Sequence, residues 1–382
     1  MDFELTDEQH ALQEVVHDLV ERDCPATLLR AVFEGKDDGS SFWKTLVAHD
    51  WPGLAVAEAD GGSGASAVEL IIAIEQLGWG GDPTPFLATT TQYVPLVQEC
   101  GTDAQRHELL GAICAGGTGA AAFSAETVSA TADGDGWVLS GTAAHVVDGD
   151  GADRIAVVAS TGDGNEQEGQ GGLGVFVVPA DAVTATREGS FDPALHVATV
   201  DFGGARVGAD GALTGTDDVA AAVVRAGELA VTGLSAQMVG ACQRAFEIVL
   251  EHIKSRHQFG VPIGSFQAVK HMAVDVYVVI ERARALAQFA ALAIAEDDER
   301  RNLAPSLAKA AAGDCQRLTA KHGIQLFGGL GYTWENDVQL YVKRAKAGEL
   351  LFGTTKDHRA QAGRTVIAQS LAAAGATGEV AR

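Results

Sequence analysis

Long helical segments dominate the second half of this chain and constrain its fold more than any other feature. Three stretches, residues 217–256, 271–296 and 306–327, are rich in alanine and have the periodicity of helices. Each is apolar along at least one side, and an isolated helix would leave that side in water. We therefore expect these helices to pack against one another as a bundle within residues 216–382.

The first 215 residues fall into two parts with different patterns. Residues 1–117 are largely helical in pattern, with a capping-box signature at Thr6 and Gln9 and a break at Pro83 and Pro85. Residues 118–215 are short β-branched runs between Gly, Asp, Ser and Thr, which predicts a small sheet or barrel. Within it, residues 161–172 predict a surface loop. The predicted fold class is mainly α with a small β domain: an N-terminal helical domain (1–117), a middle β domain (118–215) and a C-terminal helical bundle (216–382).

Charge and cysteine content exclude several classes of function. The chain has 51 acidic and 27 basic residues, a formal net charge of −24. Such a field repels phosphate backbones and anionic membranes, so we expect neither nucleic acid nor a membrane as a partner. The five cysteines are scattered without metal-ligand spacing, and the N-terminus lacks the order of a secretory signal, so we expect no metal and a cytoplasmic location.

Two motifs in the C-terminal part suggest a nucleotide cofactor. The first, RHQFGVPIGSFQAVK from Arg256 to Lys270, places an arginine and a helix start around a glycine-rich turn, which suits a pyrophosphate. It is also compatible with a plain turn between two helices, held by Phe259 and Phe266. The second, QLFGGLGYTWE from Gln325 to Glu335, has glycines that allow close approach of a ligand to the backbone. A GGxG loop alone is weak evidence, and the pairing of the two motifs raises its weight.

Together the two motifs resemble the acyl-CoA dehydrogenases, flavoenzymes that introduce an α,β double bond into acyl-CoA thioesters. The resemblance covers essentially the whole chain, and it implies a middle β domain followed by a C-terminal four-helix bundle. It also implies FAD as cofactor, an acyl-CoA substrate and an electron-transfer flavoprotein as electron acceptor. In that family both motifs hold the ADP half of the FAD bound to a neighbouring subunit. The residues carried over are Arg256, Phe259, Gln267, Gln325, Gly328 and Gly329.

The resemblance fails at the catalytic base. In the family a glutamate that removes the α-proton usually begins a Glu-Gly-Thr triplet shortly after the second motif. Here Gly353 and Thr354 are present, but Phe352 stands before them, and a phenyl ring cannot accept a proton. Glu349, three residues earlier, is expected to form a surface or interhelical ion pair instead.

Some family members carry the glutamate on the helix before the first motif. The corresponding position here is about Ala230, and the nearby Glu228 faces another side of the helix. Glu228 is therefore only a weak candidate for a displaced base, and a solvated surface acid is the stronger interpretation.

The middle domain departs from the family where other members contact the flavin ring. The usual Thr-Glu-Pro is replaced by Ala125-Glu126-Thr127, with no Gly-Ser-Asp after it. His145 and Val147 stand where a Trp-Ile-Ser/Thr sequence is usual, and valine cannot donate a hydrogen bond. His145 could serve as a replacement ligand for the flavin ring, but a partly buried strand histidine is its expected state.

The family's cofactor-binding motifs are therefore better preserved in this chain than its catalytic base and flavin-ring contacts. Residues that would hold a neighbour's FAD remain, while the chain's own base and ring contacts are altered. This resembles the subunits of heterotetrameric (α2β2) bacterial acyl-CoA dehydrogenases of steroid side-chain degradation. We expect a second acyl-CoA dehydrogenase subunit as partner, whose FAD site this chain completes in trans. The alternatives are a self-sufficient dehydrogenase with a displaced base such as Glu228, or a non-catalytic acyl-CoA-binding scaffold.

Overall fold

The structure, a computed structural model, describes residues 3–162 and 172–379, so most of the loop expected at 161–172 lies outside the described residues. The helices are α1 (Asp7–Asp23), α2 (Ala26–Phe33), α3 (Ser40–Ala48), α4 (Ala67–Gly80), α5 (Phe86–Ala88), α6 (Val94–Cys100), α7 (Asp103–Cys114), α8 (Val219–Ser255), α9 (Gln267–Ala295), α10 (Ala304–Phe327), α11 (Val338–Leu350) and α12 (Thr355–Glu379). The strands are β1 (Gly119–Phe123), β2 (Val128–Asp133), β3 (Gly136–Val147), β4 (Arg154–Thr161), β5 (Gly172–Pro179), β6 (Thr184–Arg187), β7 (Val197–Asp201), β8 (Arg206–Val207), β9 (Ala212–Leu213), β10 (His257–Gln258) and β11 (Val261–Pro262).

The chain divides into two compact units. The sheet unit comprises Asp23–Leu70 and Asp82–Ala230, and the helical unit comprises Met1–Arg22, Ile71–Gly81 and Val231–Arg382.

The sheet unit is built on a nine-stranded, mostly antiparallel sheet. Its strand order is β6-β7-β3-β2-β4-β5-β9, with β1 paired to β4 and β8 paired to β3. One cluster of buried residues, which includes Leu139, Phe176 and Phe202, draws its side chains from many strands of this sheet. A second cluster joins residues of α6 and α7, such as Leu96 and Leu110, to the sheet strands β1, β4 and β5. Alternating small and β-branched residues in the sequence thus supply the buried faces of the strands.

The helical unit depends on small residues for close packing of its helices. Gly240 on α8 lies so near α4 that a Cβ there would stand 1.9 Å from the Glu75 carbonyl oxygen. Helices α9 and α10 pack through a cluster made mostly of alanine: Ala287, Ala290, Ala293, Ala304 and Ala308. The alanine-rich composition of these segments therefore reflects the short distances between their helices rather than helix propensity alone.

The predicted fold class is confirmed: helices precede and follow a central sheet. The three long helical segments correspond to α8, α9 and α10, and the capping box forms, with Gln9 N–H donating to Thr6 Oγ1 over 3.2 Å. The division at residues 117 and 215 stays a prediction. One helix of the described residues, α8, is long and apolar enough to span a membrane by composition, with 44% of its most apolar window buried. A core helix passes the same test, so this is weak evidence for a membrane.

Candidate cofactor site and catalytic loop

The first motif forms a short β-hairpin between α8 and α9. Strands β10 and β11 pair antiparallel, with His257 opposite Pro262. Phe259 and Gly260 form the two-residue turn, with φ of 53° and 83°, the left-handed pair that a tight hairpin turn requires. The turn leaves Phe259 93% exposed, with its ring edge-on to Phe266 at 6.2 Å. The connection is thus a tight hairpin that projects an aromatic ring into solvent.

The second motif follows the end of α10. The helix stops at Phe327 because Gly328 adopts φ 62° and ψ −141°, a conformation open to glycine alone. A short 3₁₀ turn, Gly328–Tyr332, comes next. Apart from the neighbours in the chain, no heavy atom of the described residues lies within 4 Å of where a Cβ would stand on Gly328 or Gly329, so this backbone is open to a ligand.

Both motifs lie at the same end of the helical unit. His252, four residues before Arg256, stacks on Phe327, one residue before Gly328, with ring centroids 4.3 Å apart. Burial and the positive charge of Arg256 lower the pKa of His252, so this ring is neutral at pH 7. The structure therefore joins two motifs that are separate in sequence.

All six predicted FAD-contacting residues are exposed at this end: Arg256, Phe259, Gln267, Gln325, Gly328 and Gly329. Within the described residues the Arg256 guanidinium has no carboxylate partner. A free cation, an open glycine backbone and exposed aromatic rings are the groups that a dinucleotide needs for its phosphates and rings. The residues present fit the ADP half of FAD, while their contacts to it stay a prediction.

The loop that carries Phe352 joins α11 to α12. Phe352 has φ 53° and Gly353 has φ 92°, so two left-handed residues reverse the chain. A positive φ is unfavourable for a bulky residue such as phenylalanine, so the surrounding contacts must hold it. Because residue 352 is a phenylalanine, this loop carries no carboxylate at the position of the usual base.

A buried lysine that the sequence analysis missed supports this loop from α10. Lys309 is fully buried, and its Nζ donates hydrogen bonds to the carbonyl oxygens of Glu349, Leu351 and Gly353 over 3.2, 2.9 and 2.8 Å. Burial lowers the pKa of Lys309 to about 8. A lone lysine inside the apolar run SLAKAAA was the available signal, because a buried ammonium requires partners.

His358 on α12 supports residue 352 from the other side. Its Nε2 lies 2.8 Å from the Phe352 carbonyl oxygen, and its Nδ1 lies 3.2 Å from Ser306 Oγ. Because a carbonyl only accepts, Nε2 carries the hydrogen and the serine hydroxyl donates to Nδ1. Burial lowers the pKa of His358, which keeps this tautomer neutral.

The carboxylate of Glu349 is held by neighbouring side-chain and backbone groups. Its carboxylate forms an ion pair with Lys346 over 2.6 Å. An ion pair was expected, but it lies within α11 with the Glu349 side chain nearly buried, rather than at the surface or between helices. The same carboxylate accepts hydrogen bonds from the backbone N–H and the hydroxyl of Thr355, both over 3.1 Å. These contacts lower the pKa of Glu349 despite its burial. One oxygen, Oε1, therefore binds the start of α12, while Oε2 pairs with Lys346 within α11.

The weak candidate Glu228 lies in the sheet unit, on the N-terminal half of α8. It is half-buried, whereas Ala230 is fully buried. The two positions therefore face different sides of the helix, as their spacing predicts. A role for Glu228 as a base stays a prediction.

The expected partial burial of His145 is wrong. A register shift between Ala143 and Val146 in the pairing of β3 with β7 bulges this strand, and His145 adopts φ 59°. Its side chain is 70% exposed and pairs with Glu188 over 2.7 Å. The bulge turns the residue outward, because a bulged position leaves the strand alternation that the sequence analysis assumed. Val147, by contrast, is 1% exposed.

Comparison with known proteins identifies the family. The N-terminal domain of acyl-CoA dehydrogenases matches residues 6–117, and the C-terminal domain matches residues 230–367. The chain belongs to the acyl-CoA dehydrogenase family. Members of this family are oxidoreductases that act on acyl-CoA, and the predicted family and enzyme class are confirmed.

Similar proteins and solved structures cover nearly the whole chain. The acyl-CoA dehydrogenase IpdE2 of Mycobacterium tuberculosis is 29% identical over 353 residues, which is 92% of this chain and 95% of that protein. The ChsE4-ChsE5 complex, also from M. tuberculosis, contains a chain 25% identical with a TM-score of 0.86, covering 96% of this chain and 99% of that chain. The Tcur3481-Tcur3483 steroid ACAD gives 27% identity and a TM-score of 0.84, with the same coverage.

Proposed function

We propose that this acyl-CoA dehydrogenase chain is a subunit that lacks its own catalytic base and completes the FAD site of a partner subunit in trans. The observation that carries the proposal is Phe352. It occupies the usual glutamate position in an ordered loop, while both motifs for a neighbour's FAD are exposed at one end of the helical unit. A chain that had lost its base by neutral drift would have no evident reason to keep the two motifs for a neighbour's FAD.

The chain's own residues would act by binding and orientation. Arg256 would neutralise the pyrophosphate through charge-assisted hydrogen bonds, and the open backbone at Gly328 and Gly329 would admit the phosphates or ribose closely. Gln267 and Gln325 would orient the nucleotide through their amides, and Phe259 would cover an aromatic face. Bound FAD supplies hydride acceptance from the β-carbon of the acyl-CoA. Residue 352 contributes no proton acceptor, so the α-proton is removed by the partner's base.

The relatives support a heteromeric assembly and a bulky substrate. ChsE4-ChsE5 is described as a complex, and the Tcur3481-Tcur3483 protein as a steroid ACAD. By this analogy we propose a heterotetramer with a second acyl-CoA dehydrogenase subunit and a steroid-type acyl-CoA as substrate. From the family we further propose an electron-transfer flavoprotein as acceptor, and from the cysteine pattern a cytoplasmic location.

The experiment compares the chain purified alone with the chain co-expressed with its partner. Flavin absorbance and acyl-CoA-dependent reduction of an artificial electron acceptor are measured for both. We expect activity and bound FAD only in the co-expressed complex. A yellow, active homo-oligomer of this chain would contradict the proposal, and acyl-CoA binding without flavin in any complex would favour a scaffold instead.

A further inference from the structure

The loop between α11 and α12 holds a conformation that its central residue disfavours. Phe352 has φ 53°, a region in which the Cβ of a bulky residue is crowded by its own backbone. Such a residue persists where surrounding contacts over-determine the backbone. Side chains of α10 and α12 supply these contacts.

Lys309 fixes the side of the loop that faces α10. Its ammonium has three N–H groups, and three carbonyl oxygens accept them, those of Glu349, Leu351 and Gly353. The Glu349 carbonyl lies in the last turn of α11 and the Leu351 carbonyl just past its end, where intrahelical donors run out. The third lies beyond Phe352. One side chain therefore bridges the backbone on both sides of residue 352.

His358 fixes the carbonyl of residue 352 itself. Its Nε2–H donates to that oxygen while Ser306 on α10 holds Nδ1. The Ser306 hydroxyl selects the tautomer that can donate. The peptide plane between Phe352 and Gly353 is thus held by a side chain of α12 that α10 orients.

The start of α12 fixes the far end of the loop. Thr354 and Asp357 form reciprocal hydrogen bonds, with the Thr354 backbone N–H donating to Asp357 Oδ2 over 3.0 Å. Thr355 is held by the Glu349 carboxylate and packs so closely on α10 that a Cβ at Gly313 would lie 1.8 Å from its Oγ1. None of these contacts uses the side chain of residue 352.

We propose that Lys309 and His358 are positioning residues that impose the backbone geometry of residue 352. The backbone conformation that would present a general base is therefore kept in a chain whose residue 352 is not a base. The proposal rests on the proposed function for the identity of the missing side chain. It implies that Phe352→Glu would place a carboxylate on an unchanged backbone.

The hydrogen bonds that Lys309 donates to the loop should depend on pH. The groups around the Lys309 ammonium are Glu349 and Lys346 on α11, and Asp357 and His358 on α12. Because burial lowers the pKa of Lys309 to about 8, the amine above that pH has two N–H groups for three carbonyls. The loop should therefore loosen above about pH 8 only while Lys309 is present.

The test is hydrogen–deuterium exchange of the full chain in complex with its partner. The reporters are the amides of Thr354 and Thr355, which donate to Asp357 and Glu349. Lys309→Met is expected to speed their exchange by about tenfold or more, since charge-assisted hydrogen bonds are lost. The matched control is Lys321→Met, an exposed lysine on the same helix, which should leave the rates unchanged.

Two further variants separate positioning from general structural damage. His358→Phe should also speed exchange at these amides, while peptides of the sheet unit keep wild-type rates. Phe352→Glu should keep the wild-type protection of these amides. After correction for intrinsic exchange, the wild-type loop should lose protection above about pH 8, whereas Lys309→Met should show no such change. Unchanged rates in Lys309→Met, or protection lost in Phe352→Glu, would overturn the proposal. Exchange at this loop is read without flavin, so its outcome is independent of the FAD stoichiometry that tests the proposed function.

Discussion

Arg256 offers the sharpest test of cofactor binding in trans. Its side chain is exposed and has no carboxylate partner within the described residues, so its removal leaves no unpaired charge behind. If the guanidinium binds a pyrophosphate, Arg256→Gln removes hydrogen bonds to a charged group worth ~1.5–3 kcal/mol. That corresponds to a roughly 10- to 150-fold weaker affinity for FAD. The free energy of unfolding of the Arg256→Gln variant should change by no more than about 0.5 kcal/mol, as is usual for substitutions at exposed positions.

The assay is equilibrium dialysis of FAD from the co-purified complex, followed by flavin absorbance. Lys254→Gln is the matched control, because Lys254 is exposed at the end of α8, two residues before Arg256, and forms an ion pair with the nearby Glu251 over 2.8 Å. It should keep wild-type affinity. An Arg256→Gln complex with unchanged FAD affinity would refute the assignment of this motif to a cofactor.

Three other substitutions test separate parts of the account. Glu228→Gln should leave dehydrogenase activity and flavin content of the complex unchanged, and a loss of turnover with flavin retained would make Glu228 a displaced base. Tyr93→Phe should raise the free energy of unfolding in urea by about 1 kcal/mol, because the Tyr93 hydroxyl is buried without a hydrogen-bond partner in the described part of the chain. A loss of stability would mean that the hydroxyl is paired. Burial lowers the pKa of His358 in the folded protein. Its contribution to the free energy of unfolding is therefore complete above about pH 6.5, the ordinary pKa of histidine. The contribution is lost as the pH falls through the folded pKa, because the unfolded chain takes up the proton first. His358→Gln should flatten that part of the stability–pH curve relative to wild type, and an unchanged curve would contradict the neutral tautomer.

Much of the fold was predictable because its signals are local. Helical periodicity gave α8, α9 and α10, and the change to short β-branched runs located the sheet. The hairpin at Phe259 and Gly260 was less certain from sequence, where a turn between helices was equally compatible. The deciding feature is a pair of positive φ angles, which only coordinates reveal.

The candidate site was predictable in its residues but not in its supports. Lys309 contacts carbonyls 40 to 44 residues away, and such backbone acceptors leave no signature in the sequence. His145 was misjudged because strand alternation assumes continuous pairing, and the bulge breaks it. Phe352 could be read as a missing base from its Gly-Thr neighbours. Its left-handed backbone could not, since phenylalanine rarely adopts one.

The stoichiometry of flavin to chains in the purified complex tests the central claim most directly. The complex of this chain with its partner is denatured, and released FAD is measured by absorbance against protein mass. We predict about one FAD for every two chains, because one subunit of each pair supplies the base and the other completes the site. One FAD per chain, with flavin reduced by acyl-CoA in every site, would contradict the account.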